Sequence, residues 1–264
     1  MPDPLYRRIA QDLRQKIDSG ELGHGDQLPT ELELREHYEA SRNTVRDAVK
    51  WLITRGLVET RPGQGTFVVE KIDPFITTLT AELETGLGGE DTAYVSEVAA
   101  RQRRPTVSAP RIEILRASEV IASELRLDAG STIVSRGQQR YIDDTPWSLQ
   151  ITFYPMRLVE QGAVRLIQAQ DMPAGTVRYL EEVLGIRQVG CRDKITVRAP
   201  DANETTFFKL PDDGRVAVFE IFQTGFDEQG TPIRLTVSVY PADRNQFAVD
   251  IGRVPDLGPV PAFG

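Results

Sequence analysis

The chain has 264 residues, 40% hydrophobic and 27% charged, with a net charge of −8, which suits a globular protein of two domains or one large one. No apolar run approaches the roughly 18 residues that cross a bilayer, and the start, Met1-Pro2-Asp3-Pro4-Leu5-Tyr6, lacks the apolar core of a secretory signal. Cys191 stands alone, which excludes an internal disulfide and suits a reducing cytoplasm, and with only His24 and His37 beside it no zinc cluster is plausible. Residues 1–70 carry 10 basic and 12 acidic side chains, so neither this part nor the remainder is basic. Any contact with nucleic acid must therefore rest on a local patch.

Tyr6, Ile9, Ala10, Leu13 and Ile17 recur at helical spacing, and Ser19-Gly20 offers a stop. A second helix opens at Leu28-Pro29-Thr30-Glu31-Leu32-Glu33, where Thr30 and Glu33 have capping-box spacing. Leu32, Leu34 and Tyr38 are expected to supply its apolar surface. After Glu39-Ala40, Ser41 is a good N-cap for a third helix whose buried stripe is Val45, Ala48, Val49 and Leu52. Arg42, Arg46 and Lys50 sit four apart on the other side, with Asn43 and Thr44 near the helix start. Two helices joined by a tight turn, the second presenting Arg, Asn and Thr at its N-terminal end, have helix-turn-helix geometry. Arginine can fork onto guanine, asparagine can read adenine, and threonine can touch a base or a phosphate. Strands are expected at 57–61 and 66–69, joined by Pro62-Gly63-Gln64-Gly65, a small wing whose glycines let backbone come close to DNA. A helix with arginines at i and i+4 is by itself more often a solvated face; the ordered set of four elements is what points to DNA.

That set resembles the GntR family of bacterial regulators. The matching runs are Leu28-Pro29-Thr30-Glu31, Ser41-Arg42-Asn43-Thr44-Val45-Arg46-Asp47-Ala48, Gly56-Leu57-Val58 and Arg61-Pro62-Gly63-Gln64-Gly65-Thr66-Phe67-Val68. The resemblance implies that Arg42, Thr44 and Arg46 contact an operator and that the 63–66 wing tip enters the minor groove. Ser41, Asn43, Lys50, Arg61, Gly63, Gln64, Gly65 and Thr66 complete the candidate DNA-binding set. The family places an arginine after the first glutamate of the second helix, where this chain has Leu32; Arg35, one turn on, is the candidate replacement and joins the set.

Residues 71–92 read as a linker with one short helix, 93–255 as a second domain and 256–264 as a flexible tail. In the second domain, strands are expected at 132–141, 147–154, 195–198, 216–223 and 233–240, helices at 120–127, 158–168 and 177–184, and turns at 143–146 and 227–230. This is an α+β domain on an antiparallel sheet. Arg136, Gln138 and Arg140 share a strand face; so do Ser148, Gln150, Thr152 and Tyr154, and Arg234, Thr236, Ser238 and Tyr240. The pattern alone favours a half-solvated sheet; the functional reading is a pocket lined by polar side chains for an anionic or hydroxylated ligand.

Residues from about 94 to 248 resemble the UTRA effector domain of the HutC branch of the family, a chorismate lyase-like fold. The runs that carry this are Arg140-Tyr141-Ile142-Asp143-Asp144-Thr145-Pro146, Phe153-Tyr154-Pro155, Gly175-Thr176, Asp227-Glu228-Gln229-Gly230-Thr231-Pro232-Ile233 and Ser238-Val239-Tyr240. By that resemblance Gln138, Arg140, Gln150, Thr176, Arg234 and Tyr240 take effector-pocket positions, and Arg136 shares their face. Two carboxylates expected of sugar-phosphate sensors are replaced by Gln150 and Arg234, which implies another effector, acidic or aromatic. The whole resemblance implies a cytoplasmic homodimer that represses from a palindromic operator and is released by a small molecule, with no cofactor, metal or membrane partner. Three alternatives stay open. An enzyme is disfavoured because the chain offers no Ser-His-Asp set and no phosphate-binding glycine loop followed by lysine. An architectural DNA-binding protein sits badly with an acidic chain. A regulator whose sensor only dimerises is not excluded.

Overall fold

The computed structural model describes residues 3–69, 75–78, 95, 98–172, 174–211 and 214–248. The chain divides into two compact units, Met1–Asp73 and Pro74–Gly264.

The first unit holds α1 (Leu5–Asp18), α2 (Glu31–His37), α3 (Arg42–Thr54), β1 (Val58–Arg61) and β2 (Gly65–Val68). Local chemistry sets the helix starts. The Thr30 side chain accepts the Glu33 N–H while Glu33 reaches back to the Thr30 N–H, and Ser41 accepts the Thr44 N–H. Helical spacing then gathers Ile9, Leu13, Leu34, Val45, Ala48 and Leu52 into one core with Leu28, Val58 and Val68. Leu32 departs from expectation: it is 59% exposed and adds nothing to that core. The β1–β2 hairpin pairs Val58 with Val68 and Arg61 with Gly65. Residues before α2 dock along it, with Leu28 N donating to Thr66 O (2.7 Å) and Val68 N to Asp26 O (2.9 Å).

The second unit is built on an antiparallel sheet whose strands lie in the order Pro105–Val107, Thr132–Ile142, Thr145–Pro155, Pro232–Pro241, Val218–Asp227, Gln188–Arg198, with Arg111–Arg116 also paired to Thr132–Ile142. Its elements are β3 (Phe75–Thr78), β4 (Pro105–Val107), β5 (Arg111–Arg116), α4 (Glu119–Leu125), β6 (Thr132–Ile142), β7 (Thr145–Pro155), α5 (Met156–Glu160), a 3-10 turn (Val164–Ile167), α6 (Thr176–Leu184), β8 (Gln188–Arg198), α7 (Ala202–Phe208), β9 (Val218–Asp227), β10 (Pro232–Pro241) and β11 (Asn245–Ala248). The mixed α+β class is as expected, and several elements differ. The helix anticipated over 158–168 is broken into α5 and the 3-10 turn at Gly162, whose φ of 124° no helix accommodates. The first hairpin turn is only two residues long: Asp143 and Asp144 take φ of 50° and 64°, the mirror-image geometry that matches strand twist. β8 begins seven residues earlier than the sequence pattern predicts, and β4, β5 and α7 add to the predicted elements. Within the stretch read as a linker, Phe75–Thr78 is a strand that pairs in parallel with Asn245–Ala248. The short helix expected in that linker, and the tail at 256–264, lie outside the described residues.

The two faces of the sheet are packed differently. On one, α4 buries Ala122 and Leu125 against Ile133, Phe153 and Leu235, and α7 sets Phe208 against Val218 and Val239. The other face is the polar one. At one end α5, the 3-10 turn and α6 cover it, packing Leu158, Leu166 and Leu180 on Val134 and Tyr154. Most of its polar side chains are out of water: Arg136, Arg140, Gln150, Thr152, Arg234, Thr236 and Ser238 are buried, while Gln138 and Tyr240 are half-buried.

Leu52, fully buried where α3 meets the rest of its core, gives a direct check on this packing. Leu52→Ala is expected to lower the stability of the first unit by about 2–5 kcal/mol in denaturant unfolding. A loss well below 1 kcal/mol would show that α3 is not anchored there.

Candidate DNA-reading face and sensor cleft

The Ser41 hydroxyl both accepts the Thr44 N–H (3.2 Å) and meets the Thr44 hydroxyl (2.8 Å). These two candidate residues therefore order the first turn of α3. Arg42, Asn43, Arg46 and Lys50 are exposed, on the side away from Val45, Ala48 and Leu52; Arg35 is exposed on α2. Arg42 and Arg46 converge on one acid: Arg42 Nε donates to Glu31 Oε2 (3.2 Å) and Arg46 Nε to Glu31 Oε1 (2.9 Å). The hydrogen bond from Arg46, and then that from Arg42, hold the Glu31 carboxyl below the usual carboxylate range.

At the wing, Gly63 takes a left-handed φ of 73°, and Gln64 N closes the turn on Arg61 O (3.0 Å). Arg61 donates to Glu59 (2.8 Å) and lies over the Phe67 ring, 4.5 Å from its centroid, while the Thr66 hydroxyl meets that of Thr60 (3.2 Å). Gln27 is a residue that sequence reading missed. Its side-chain amide donates to Gln64 O (2.9 Å), and it occupies the space where a Cβ on Gly65 would stand, 2.2 Å from that position. The φ of 130° is what favours glycine at position 65, and a side chain there would also displace the Gln27 amide from Gln64 O. No motif or spacing in the sequence signals this support.

In the second unit a small cleft opens on the polar face of the sheet. Arg136, Gln138, Thr152 and Tyr154 line its floor, with Asp171, Met172 and Thr176 at its wall. Three of the expected effector residues, Arg136, Gln138 and Thr176, therefore meet there. Thr176 begins α6 and its hydroxyl is 2.5 Å from the Tyr154 hydroxyl. Strand alternation already put Thr152 and Tyr154 on the right face; Asp171 and Met172 sit in an irregular segment and carry no such signal.

Arg136 has another task within the cleft. Its guanidinium donates to the carbonyls of Arg165 (3.2 Å), Leu166 (3.0 Å), Gln168 (2.9 Å) and Gln170 (2.9 Å), pinning the segment that leads to the cleft wall. The remaining four candidates share the sheet face but not the cleft lining. Gln150 lies opposite Gln138, and Arg140 opposite Ser148, across β6–β7. Tyr240 stacks edge-on against Phe247 (5.1 Å), which also meets Phe219 (5.2 Å). Arg234 is enclosed. It donates to Gln188 (2.7 Å), Thr236 (2.8 Å) and Gln223 (3.0 Å), and burial pulls its guanidinium down to about 10. Thr236 in turn meets Thr152 of the cleft floor (3.1 Å), so Arg234 is linked to the cleft through two hydroxyls. Asp193, exposed along β8, opposes Gln223 across β8–β9, and the partial loss of hydration on that face raises its carboxyl above the usual range. Among the described residues no helix is long and apolar enough to cross a membrane, and no three His, Cys, Asp or Glu side chains group as a metal site.

Comparison with known proteins accounts for both units. The sequence model "Bacterial regulatory proteins, gntR family" matches residues 5–68, and that of the UTRA domain matches residues 100–246, more than half of the chain. The chain belongs to the GntR family of transcriptional regulators, with a UTRA domain. The HTH-type transcriptional regulator GgaR of Escherichia coli is 25% identical over 247 residues, spanning 94% of this chain and 91% of GgaR. The HTH-type transcriptional repressor NagR of Bacillus subtilis is 24% identical over 246 residues, 93% of this chain and 94% of NagR. A crystal structure of another GntR-family transcriptional regulator superimposes with a TM-score of 0.64 at 25% identity, covering 96% of this chain and 99% of the other. The protein is accordingly a DNA-binding transcriptional regulator and not an enzyme.

The geometry around Arg136 yields a prediction. Arg136→Met keeps the bulk but leaves four buried or half-buried carbonyls without their donor, and should cost about 2–4 kcal/mol of sensor-unit stability, measured by thermal unfolding. Unchanged stability would mean the guanidinium is free to serve a ligand instead.

Proposed function

We propose that the protein is a homodimeric repressor that holds a palindromic operator through two copies of α3 and its wing and releases it when the sensor unit binds a small acidic or aromatic molecule. On this reading 1–70 is the DNA-binding domain and 93–255 the sensing and dimerising domain, and the regulator acts in the cytoplasm. The observation that carries the DNA half is the split of α3: Val45, Ala48 and Leu52 are wholly buried while Arg42, Asn43 and Arg46 stand exposed at its capped N-terminal end. Arg42 and Arg46 are the base readers, Asn43, Thr44 and Lys50 support them, and Arg35, Arg61 and the 63–66 turn contact backbone and groove. Two such helices bound about one helical turn apart read the two half-sites, and an effector that prefers one arrangement of the dimer changes that spacing.

The polar face supports an anionic effector. Arg136, Arg140 and Arg234 place three guanidiniums on it, against Asp171 at the cleft wall and Asp193 on β8. Gln138, Gln150, Thr176 and Tyr240 supply neutral hydrogen-bonding groups around them. One observation favours a second reading, in which the sensor only dimerises: the guanidiniums of Arg136 and Arg234 are already engaged by carbonyls, amides and a hydroxyl.

The test is fluorescence anisotropy with a duplex from upstream of the protein's own gene, in competitor DNA and over a range of salt. Arg42→Ala and Arg46→Ala should each weaken binding by about 1–3 kcal/mol. Binding indifferent to sequence and to both substitutions would overturn the assignment of α3. With the complex in hand, a panel of small acids and aromatic acids should contain a molecule that releases DNA. Release by a hexosamine phosphate would contradict the effector class, and a panel that neither releases DNA nor raises the unfolding temperature would favour the dimerising reading.

A further inference from the structure

Glu31 stands outside α3 yet against its exposed arginines. It is the first residue of α2, directly after the Thr30 cap, a position where a carboxylate is favoured by the unpaired N–H groups of the helix start. From there one carboxylate reaches across the helix-helix turn to two arginines eleven and fifteen positions on, one oxygen to each. Both bonds engage Nε. The Nη1–Nη2 end of each guanidinium, the part that forks onto guanine O6 and N7, is left for a base edge.

We propose that Glu31 is a positioning and specificity residue: it orients Arg42 and Arg46 for base reading and at the same time lowers the charge with which they attract any phosphate. This rests on the reading of α3 as the recognition helix. Two consequences follow from the geometry. A long side chain that is already oriented loses less freedom on binding, which favours the operator, where both forks find partners. A single negative charge between two positive ones weakens attraction to phosphate on every sequence alike, so it disfavours random DNA more than the operator. The pairs themselves are exposed, with the arginine side chains 62% and 54% accessible, so their contribution is to DNA selection more than to folding. Leu32, the next residue, brings no charge of its own and leaves this balance to Glu31.

The experiment compares Glu31→Gln and Glu31→Asp with the full-length wild type on two probes: a duplex selected from a random library by the wild type, and a random-sequence duplex of equal length. Arg42→Ala and Arg46→Ala run alongside. Glu31→Gln should bind the random duplex about 2–5-fold more tightly, with a steeper salt dependence, and lower the operator-to-random ratio about tenfold. Glu31→Asp keeps the charge and shortens the reach, so its random-duplex affinity should stay at the wild-type value while the operator affinity falls. Thermal unfolding of both variants should match the wild type. An unchanged ratio in Glu31→Gln, or equal losses on both probes together with a lower unfolding temperature, would overturn the proposal. If Arg42→Ala and Arg46→Ala leave operator binding intact, it is the reading of α3 that fails, and the role of Glu31 goes with it.

Discussion

The burial of one stripe of α3 is the constraint on which the proposed DNA-reading face depends. Val45, Ala48 and Leu52 have no accessible surface, and each apolar side chain of this size that leaves water stabilises the fold by about 1.5–3 kcal/mol, somewhat less for alanine. With those three fixed against α1, α2 and the hairpin, rotation of α3 about its axis is fixed as well. The helical repeat then sends Arg42, Asn43 and Arg46 outward without any further device. Ser41 completes the arrangement by ending the turn before them, so that the first exposed residues of the helix are also those free to enter a groove. An acidic protein can bind DNA on these terms because the attraction is local. Neighbouring acids are hydrogen-bonded to these arginines, Glu31 to Arg46 and Glu59 to Arg61.

The sensor unit solves a different problem. A sheet face carrying three arginines has been taken out of water, which is costly unless every charged or polar group finds a partner. Arg136 answers this with main-chain carbonyls and Arg234 with amides and a hydroxyl. What remains between them is a small cleft whose floor is threonine, tyrosine, glutamine and arginine. Because Arg136 ties that floor to the segment at its wall, and Thr152–Thr236 ties it to Arg234, a molecule entering the cleft would act on strands β6, β7 and β10 together. This is the kind of connected polar network through which a ligand can favour one arrangement of the fold over another.

What could be read in the sequence was mostly what is local. The Thr30–Glu33 box, the Ser41 cap and the Gly63 turn each depend on residues within a few positions, and each is present. The same chemistry at Asp201 and Glu204, which starts α7, leaves an equally local signal. Strand alternation identified the polar face but could not say whether it was solvated, since burial depends on the covering segment. The parallel pair of Phe75–Thr78 with Asn245–Ala248 joins residues some 170 positions apart and leaves no pattern in either strand. The break at Gly162 was hidden because apolar residues on both sides keep helical spacing across it. On the polar face, Gln150 and Arg234 stand where the family resemblance implies carboxylates, and that much is legible in the sequence; the inward folding of Arg234 onto Gln188, Gln223 and Thr236 is a tertiary outcome, as is the capture of Arg136 by four carbonyls.

The claim that α3 and its wing are the DNA-reading surface is tested most directly by hydrogen exchange of the full-length protein, alone and with saturating selected duplex. The amides at the start of α3 and in the turn from Gly63 to Thr66 are expected to slow on binding, and to recover their free rates when salt dissociates the complex. Slowing confined to the sensor sheet, with residues 41–50 and 61–66 unchanged, would contradict the account.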